Sequence, residues 1–389
     1  MNEVRIAVIG FGNMGSAHAA AIAAGKVEGL RLAAVCDCSE QRLRFAAGLY
    51  PDLPLYEDYR ACLATDIDAA LIAVPHPMHA QIALDALAAG RHALTEKPID
   101  VRVSHAQALC EAARRSDRVF GIMFNQRTNP LFQRAREIVR GGELGELKRS
   151  VWLITNWYRT QHYYDSGAWR ATWAGEGGGV LLNQAPHNLD LWQWICGMPD
   201  HVRAFCDVAR YHRIEVEDEA TILTRHANGA TGLFLTSTGD YPGTNRLEIS
   251  GDKGKLVLEE GRLKWWKLSR SEREARFASE VSMEKIPFEV EEFAAEGRES
   301  GHVGILQNFT NAILRGEALI APGTDGLNEL TISNAAYLSS WTGEEIALPL
   351  DTARFDRLLD ERAAKSVYKP SAATDAPSGR YSERWQVKW

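Results

Sequence analysis

The sequence of 389 residues predicts an α/β protein with two parts, a doubly wound parallel sheet followed by a domain of antiparallel strands. In residues 1–125, short β-branched runs alternate with alanine-rich helical patterns, which is typical of a parallel sheet covered by helices. From Lys148 onward the strands are short and alternate apolar with polar residues, and glycine-, asparagine- or aspartate-containing turns join them, which favours hairpins. The length exceeds what one ordinary core supports, so we expect two domains.

The first strand and the turn after it carry a strong signal. Residues 4–10 form an apolar run that ends in the turn Gly-Phe-Gly-Asn-Met-Gly, and an alanine-rich helical pattern follows. Glycines let the backbone approach a pyrophosphate, and a helix N-terminus offers it free N–H groups and partial positive charge. We therefore expect a dinucleotide to contact the turn residues, namely Gly10, Phe11, Gly12, Asn13, Met14 and Gly15.

Asp37 ends the second predicted strand, the run Arg-Leu-Ala-Ala-Val-Cys. A carboxylate at this position accepts hydrogen bonds from the ribose hydroxyls of adenosine and repels a 2′-phosphate, so the sequence favours NAD over NADP. Arg42 and Arg44 lie close behind it and leave NADP open as the alternative.

Polar residues follow three later strands, at the edge where a parallel sheet binds ligands. They are His76 and His79 after one strand, Glu96 and Lys97 after the next, and Asn125, Gln126 and Arg127 after the last. This placement favours a ligand-facing lysine over a surface lysine. The cofactor contacts expected here are Pro75, His76, His79, Glu96, Lys97 and Asn125.

Three glycines at positions 177–179 directly precede a helical pattern that carries Asn183, His187 and Asp190. At about 100° per residue, these three side chains fall on one face of a helix. A lone histidine is more often a core residue. An imidazole nevertheless has an unperturbed pKa near neutral pH and suits proton transfer, so we expect this face to contact the substrate.

Residues 158–173 crowd aromatic and basic side chains into one loop. Aromatic faces and guanidinium groups bind sugar rings, and anionic sugars above all. A packed loop or a subunit contact is the alternative interpretation. The substrate contacts expected in this loop are Tyr158, Arg159, His162, Tyr164, Trp169 and Arg170. Tyr241, in a turn between two later strands, is a further candidate.

Composition and charge narrow the class of protein. The net charge of −7, without a long basic run, argues against a nucleic-acid partner. No apolar run approaches the ~20 residues that span a bilayer, and the N-terminus lacks a signal-peptide pattern, so we expect a cytoplasmic protein without a membrane partner. Cys36 and Cys38 have no second pair at ligand spacing, which predicts no metal site.

Four segments, in this order, resemble one known family. They are Ala-Val-Pro-His-Pro-Met-His-Ala, Leu-Thr-Glu-Lys-Pro-Ile-Asp, the glycine-rich helix with His-x-x-Asp, and the run 308–351. With them the chain resembles, over about residues 3–352, the glucose–fructose oxidoreductase and inositol dehydrogenase (Gfo/Idh/MocA) family. The resemblance implies an NAD(P)-binding Rossmann domain at 1–125 and an α/β domain with a large, mostly antiparallel open sheet at 126–352, which binds substrate and other subunits. Residues 353–389 would form a C-terminal extension.

The resemblance also implies a carbohydrate site between the two domains. Lys97 matches the family lysine that contacts the reacting hydroxyl, and His187 matches the catalytic histidine. His302 resembles a family position near the site. In this family one sheet face commonly packs against a second subunit, so we expect a homodimer or homotetramer. The C-terminal tail is expected to dock on a neighbouring chain or across the site, because it carries three aromatic residues, Tyr381, Trp385 and Trp389.

Asn183 departs from the family pattern, which usually has an aspartate four residues before the histidine. An amide positions a hydroxyl but does not accept its proton at neutral pH, which leaves proton transfer to His187 or Lys97. Pro186 is also unusual and predicts a bend or a restart of the helix. Asp190 is expected to orient the imidazole or to cap a neighbouring element.

Two enzymatic hypotheses follow. In the first, an NAD-dependent dehydrogenase acts on a sugar or sugar derivative: His187 takes the hydroxyl proton, and Lys97 steadies the alkoxide while hydride passes to the nicotinamide. An inactive NAD sensor is disfavoured because both residues are present.

The second hypothesis is an NAD-dependent glycoside hydrolase. There hydride leaves C3 for NAD, the C2 proton, which is now acidic, is removed, and the glycosidic group is eliminated. Water then adds, and the hydride returns to the sugar. A tyrosine of the aromatic loop would serve as the base, and the basic residues of the loop would suit a carboxylate or sulfonate on the glycoside. The candidate bases are Tyr158, Tyr163 and Tyr164, and the basic residues are Arg159, His162 and Arg170.

Overall fold

The computed structural model describes residues 2–167, 169–295 and 300–367. It confirms the predicted fold class, because the chain forms a six-stranded parallel sheet and a nine-stranded, mostly antiparallel sheet, with helices packed against them. None of the helices in these ranges combines the length and the hydropathy needed to cross a bilayer.

The six-stranded sheet is built from the first third of the chain. Its elements are β1 (Val4–Ile9), α1 (Asn13–Ala23), β2 (Leu30–Cys36), α2 (Glu40–Leu49), β3 (Leu55–Tyr56), α3 (Tyr59–Leu63), β4 (Ala69–Ile72), α4 (His79–Ala88), β5 (His92–Thr95), α5 (Val103–Arg115) and β6 (Phe120–Ile122). The strand order is β3-β2-β1-β4-β5-β6, and neighbouring strands run parallel. The order reverses between β1 and β4, and a parallel sheet binds ligands outside the carboxyl ends of its strands at such a point.

The nine-stranded sheet and its helices follow. Their elements are α6 (Pro130–Arg140), β7 (Leu147–Ile154), α7 (Gln161–Asp165), α8 (Val180–Asn183), α9 (Pro186–Cys196), β8 (His201–Val208), β9 (Glu217–Arg225), β10 (Thr231–Ser237), β11 (Asn245–Gly251), β12 (Gly254–Glu259), β13 (Arg262–Leu268), α10 (Glu272–Ala278), β14 (Phe288–Ala294), α11 (Gly301–Arg315), α12 (Gly326–Thr342), β15 (Ile346–Ala347) and α13 (Thr352–Ala363). The strand order is β14-β13-β12-β11-β7-β10-β9-β8-β15, and β7 pairs parallel with β10.

One face of this sheet packs against α8 and α12, and α9 contacts it through Trp192. The ring of Trp192, from α9, lies 5.5 Å from that of Phe234 on β10, and its indole N–H donates to the Ser150 hydroxyl of β7 at 2.9 Å. Because successive side chains of a strand point to opposite faces, Trp152 of β7 and Phe234 of β10 are both buried on this face. The helices that carry the candidate site are therefore held against the sheet.

The predicted C-terminal extension begins with a helix. In α13, Phe355 is buried and its ring stacks on that of Trp341 in α12, with 5.4 Å between the ring centroids. The aromatic residues Tyr381, Trp385 and Trp389 lie outside the described residues. The domain boundaries at 125 and 352 stay predictions.

Candidate active site

The glycine turn after β1 is shaped by two close backbone approaches. Gly10 has a φ of +90°, and a Cβ there would lie 2.4 Å from the carbonyl oxygen of Ala73. A Cβ on Gly15 would lie 1.8 Å from the carbonyl oxygen of Gly10, whereas a Cβ on Gly12 would meet no atom within 4 Å. Packing therefore requires glycine at positions 10 and 15. Gly12 instead borders open space at the start of α1, where the first N–H groups have no partner within the helix.

Asp37 closes this turn from β2. Its Oδ2 accepts a hydrogen bond from the Phe11 N–H at 2.7 Å, and its Oδ1 accepts one from the Ser39 N–H at 2.8 Å. The Phe11 ring itself is fully buried against Phe45, so its side chain does not reach a cofactor. The open space at Gly12, the free N–H groups and the half-buried carboxylate fit a dinucleotide with an unphosphorylated ribose.

Lys97 lies just beyond β5 and reaches across to the second domain. Its ammonium group donates to the backbone carbonyl of Asn183, with 2.6 Å between Nζ and O. Burial lowers the pKa of Lys97, while the negative charges of nearby carboxyl groups oppose this shift. The turn after Lys97 is held by His79, whose ring nitrogens lie 2.6 Å from the Pro98 carbonyl and 2.8 Å from the Val74 carbonyl. The predicted cofactor contact of His79 is thus corrected: its ring positions this turn.

Glu96 lies beside Lys97 and is paired with a histidine of α1. The Nε2 of His18 is 2.7 Å from the Glu96 carboxylate, and the His302 ring of α11 lies 5.4 Å from the His18 ring. Burial acts to raise the pKa of Glu96, but the hydrogen bond from His18 and nearby positive charges lower it to about 2. Burial lowers the pKa of His302 to about 4. His302 therefore lies beside the His18–Glu96 pair, and no sequence pattern singled out His18.

His187 begins α9 and faces Phe124, with 6.4 Å between the ring centroids. The imidazole is nearly buried, and its Nδ1 has no hydrogen-bond partner among the described residues. Burial and then the positive charge of Lys97 hold the pKa of His187 well below its usual range. The charge of Lys97 thus acts on the imidazole, and burial together with that charge keeps the ring neutral at neutral pH.

The helix that carries Asn183 and His187 is interrupted between them. α8 ends at Asn183 and α9 begins at Pro186, because proline has no N–H for a continuous ladder. Asp190 does not face the imidazole: it is fully buried and accepts from Arg127 at 2.8 Å from Nε and 2.6 Å from Nη2. The predicted substrate contact of Asp190 is therefore wrong, because this guanidinium occupies both carboxylate oxygens.

Glu176 is a site residue that the sequence reasoning missed. It precedes the three glycines, its carboxylate accepts hydrogen bonds from the Asn183 side chain and from the Ala171 N–H, and it is nearly buried. Burial raises the pKa of Glu176. The site therefore does hold a carboxyl group beside Asn183, but one supplied from seven residues earlier in the chain.

The aromatic loop contributes Tyr163 and Arg170 to the same place. Arg170 Nη1 donates to the Tyr163 hydroxyl at 2.7 Å, Gln184 Nε2 donates to it at 3.1 Å, and this hydroxyl donates to Asn183 Oδ1 at 3.4 Å. The Arg170 guanidinium also lies 4.6 Å from the centre of the Trp169 ring. Of the expected loop residues, Arg170 and Trp169 border the site, and Tyr163 joins them.

Other residues of the predicted set lie elsewhere. Tyr164 is buried with its hydroxyl 2.8 Å from Thr238 Oγ1, so its predicted substrate contact is corrected to a packing role. Tyr241 is 83% exposed and its ring lies 5.6 Å from that of Tyr158 at the surface. His162 is exposed on α7.

The remaining predicted residues border the site. The Arg159 guanidinium lies 5.1 Å from the centre of the Tyr163 ring. The His76 ring lies 5.4 Å from that of Trp169, directly after Pro75. The Oδ1 of Asn125 is buried without a hydrogen-bond partner in the described part of the chain, which fits a group that a ligand completes. Within the described ranges, no three His, Cys, Asp or Glu side chains lie close enough together to hold a metal ion.

Glu217 supports the glycine segment from β9. Its carboxylate accepts from the Gly179 N–H at 2.9 Å, the Leu181 N–H at 2.9 Å and the Tyr337 hydroxyl at 2.6 Å. Burial raises the pKa of Glu217 to about 7. These bonds fix the start of α8, and hence the carbonyl of Asn183 that Lys97 contacts.

Known proteins resemble this chain in both of its sheet-containing parts. Residues 4–124 match the model of the oxidoreductase family with an NAD-binding Rossmann fold, and residues 132–257 match the GFO/IDH/MocA C-terminal domain. The inositol 2-dehydrogenase of Rhizobium meliloti is 24% identical over 89% of this chain and 99% of its own length. The levoglucosan dehydrogenase of Pseudarthrobacter phenanthrenivorans is 26% identical over 72% of this chain and 78% of its own length.

A solved structure extends the comparison to nearly the whole fold. The WlbA dehydrogenase of Bordetella pertussis, solved in complex with NADH and UDP-GlcNAcA, superposes with a TM-score of 0.74 at 26% identity, over 90% of this chain and 100% of that one. The chain is thus an enzyme that uses NAD, and it belongs to the GFO/IDH/MocA family of oxidoreductases.

Proposed function

We propose that this enzyme oxidises a hydroxyl group of a sugar or sugar derivative, with His187 as the proton acceptor and Lys97 as the cation that stabilises the substrate oxygen. The observation that carries the proposal is the buried imidazole of His187 close to the half-buried ammonium group of Lys97, at the carboxyl end of the parallel sheet. The relatives named for inositol and levoglucosan support a polyhydroxylated substrate.

The neutral ring of His187 suits proton removal from a hydroxyl group. The same positive charge that lowers its pKa makes the imidazolium a strong acid once it has formed, so the ring readily gives the proton up again. Lys97 donates a hydrogen bond to the substrate oxygen that becomes negative. Such a bond stabilises the developing charge most in a site with little water. When bound, NAD accepts the hydrogen and two electrons from the substrate carbon.

The loop residues would bind the sugar ring. Trp169 offers an aromatic face, and the Arg170 guanidinium and the Tyr163 hydroxyl offer polar contacts beside Asn183. The Asn183 side chain is itself held by Glu176. This arrangement supplies oriented donors and acceptors on one side of a ring-shaped ligand.

The test is an assay of the purified protein with NAD and panels of free sugars, cyclitols and sugar acids, followed by NADH absorbance. We expect NADH to form in proportion to one or more of these substrates. No NADH with any member of the panels, from protein that still binds NADH, would contradict the proposal.

A glycoside hydrolase is the second candidate, and one observation favours it. The Tyr163 hydroxyl lies beside Asn183 and receives hydrogen bonds from Arg170 and Gln184, so a second group able to exchange a proton lies next to the site. Including aryl glycosides in the same assay separates the two activities. Aglycone release without net NADH, with solvent deuterium at C2 of the sugar, would identify the hydrolase.

We also propose that the open face of the nine-stranded sheet joins two copies of the chain. The register aligns Leu223, Leu233 and Val151 in one row across three strands, and Leu223 is 46% exposed. A contiguous apolar row of this kind is typical of an interaction surface. Light scattering should give a Leu223→Asp variant a lower mass than the wild type. Equal masses would contradict this interface.

A further inference from the structure

Glu329 is a core carboxyl group that the proposed reaction does not use. It lies on α12, it is fully buried, and neither carboxyl oxygen has a hydrogen-bond partner among the described residues. The nearby Ser333 hydroxyl donates to the backbone carbonyl of Glu329, at 3.2 Å. Because a buried polar group without a partner destabilises a fold, Glu329 calls for a role other than packing.

The surroundings of Glu329 point to the active site. α12 packs along α9 and α8, which carry His187 and Asn183. The Asn334 side chain of α12 also donates to the backbone carbonyl of Val101, four residues after Lys97, at 3.2 Å. Two charged groups act on the carboxyl group of Glu329: Asp190 from α9 and Lys97 from the end of β5. Burial, and then the charge of Asp190, raise the pKa of Glu329 well above its usual range, and the charge of Lys97 and the nearby Ser333 hydroxyl oppose them. Burial and Asp190 therefore favour the protonated form of this carboxyl group.

Charged groups from several elements act on the pKa of Lys97. The groups that act on it are Glu96 from its own turn, Glu329 from α12, Glu176 from the glycine segment and Arg170 from the aromatic loop, and its own charge acts on His187 and His302. Glu96 is paired with His18, and Glu176 accepts two hydrogen bonds. Of these three carboxyl groups, only that of Glu329 has no hydrogen-bond partner for either oxygen within the described ranges.

Building on the proposed function, we propose that Glu329 is a positioning residue that acts through Lys97. As the pH rises, the Glu329 carboxyl group releases its proton to solvent and, as a carboxylate, keeps the proton of Lys97 on Nζ. One proton leaves the pair and no bond to the substrate changes. Glu329 thereby maintains the ammonium form of Lys97, which the reaction uses, up to a higher pH than burial alone allows. Such a pair titrates as a unit.

The test compares the wild type with Glu329→Gln, which keeps the shape of the side chain but not its ionisation. The pKa of Lys97 is followed by NMR of lysine labelled at Cε, with Lys97→Met to assign the signal, and kcat/KM is measured over the same pH range. We expect the pKa of Lys97 and the alkaline limb of kcat/KM to move to lower pH by roughly one unit, as when an opposite charge near an amine is lost. The acid limb, set by His187, should stay in place.

Two further variants separate this role from packing. Glu345→Gln removes an exposed carboxyl group near the end of α12 and should leave both measurements unchanged. Glu329→Met should shift the pKa of Lys97 in the same direction and unfold at a higher temperature than the wild type, because it removes the partnerless polar group. An unchanged pKa of Lys97 in both Glu329 variants would overturn the inference. A lowered pKa of Lys97 in a protein without turnover would support the inference and reject the proposed function.

Discussion

Replacing His187 by asparagine should lower kcat by about 10²–10⁴-fold, the range expected when a general base is removed. The effect should fall on kcat, because the imidazole accepts the proton only as the reaction proceeds. Asparagine keeps a polar group of similar reach but does not accept a proton at neutral pH. Steady-state kinetics with NAD and the active sugar would measure the loss.

The affinity for NADH should stay near that of the wild type in His187→Asn, and fluorescence titration would measure it. The matched control is His201→Asn, which changes an exposed histidine at the start of β8 and should leave kcat unchanged. A His187→Asn enzyme with the kcat of the wild type would show that another group takes the hydroxyl proton.

The second large effect concerns stability. Arg127→Leu should lower the free energy of unfolding by about 3–5 kcal/mol, the cost of leaving a buried charge without its partner. Arg127 is fully buried, and its guanidinium binds Asp190 through two nitrogens and Asp325 at 2.7 Å. Removing it leaves the carboxylate of Asp190 without a counter-charge in the core.

Urea unfolding would measure this change, and a double variant locates its cause. Arg127→Leu combined with Asp190→Leu should regain part of the lost stability, because both members of the buried pair are then apolar. The control Arg118→Leu breaks a surface pair with Asp117 and should change stability little. Equal losses for the single and the double variant would show that packing of Arg127, and not its charge, stabilises the fold.

The sequence predicted the elements whose signals are local. An apolar run, a glycine turn and an alanine-rich segment in immediate succession predicted a strand, a turn and a helix at residues 4–23. The structure has β1 and α1 there. The break at Pro186 also follows from one residue, because proline cannot continue a helical ladder. Lys97 was expected at the carboxyl edge of the parallel sheet, and the structure places it there.

The contacts that the sequence did not predict join residues far apart in the chain. Asp190 shares a helical face with His187, but Arg127, sixty-three positions earlier, binds its carboxylate. Glu329 reaches the surroundings of Lys97 only because α12 packs along α9. No pattern of spacing in one segment reports which distant side chain will occupy a carboxylate, so these partners became visible only in the folded chain.

The contact between Glu176 and Asn183 was also not predicted from the sequence, although the two residues are only seven positions apart. Its position before three glycines marks a loop, and glycine-rich loops have no period from which the direction of a side chain can be predicted. In the structure its carboxylate turns back to the Asn183 side chain. Asn183 replaces the aspartate of the family pattern, but Glu176 places another carboxyl group beside it.

The central claim is that the ammonium group of Lys97 and the imidazole of His187 share one pocket. NMR titration of His187 in histidine-labelled protein, in the wild type and in Lys97→Met, tests this claim most directly. Removing a nearby positive charge makes protonation of the imidazole easier. We therefore expect the pKa of His187 to lie well below its usual range in the wild type and to rise in Lys97→Met. An identical pKa of His187 in the two proteins would mean that the two groups do not act on each other, and would contradict the shared site.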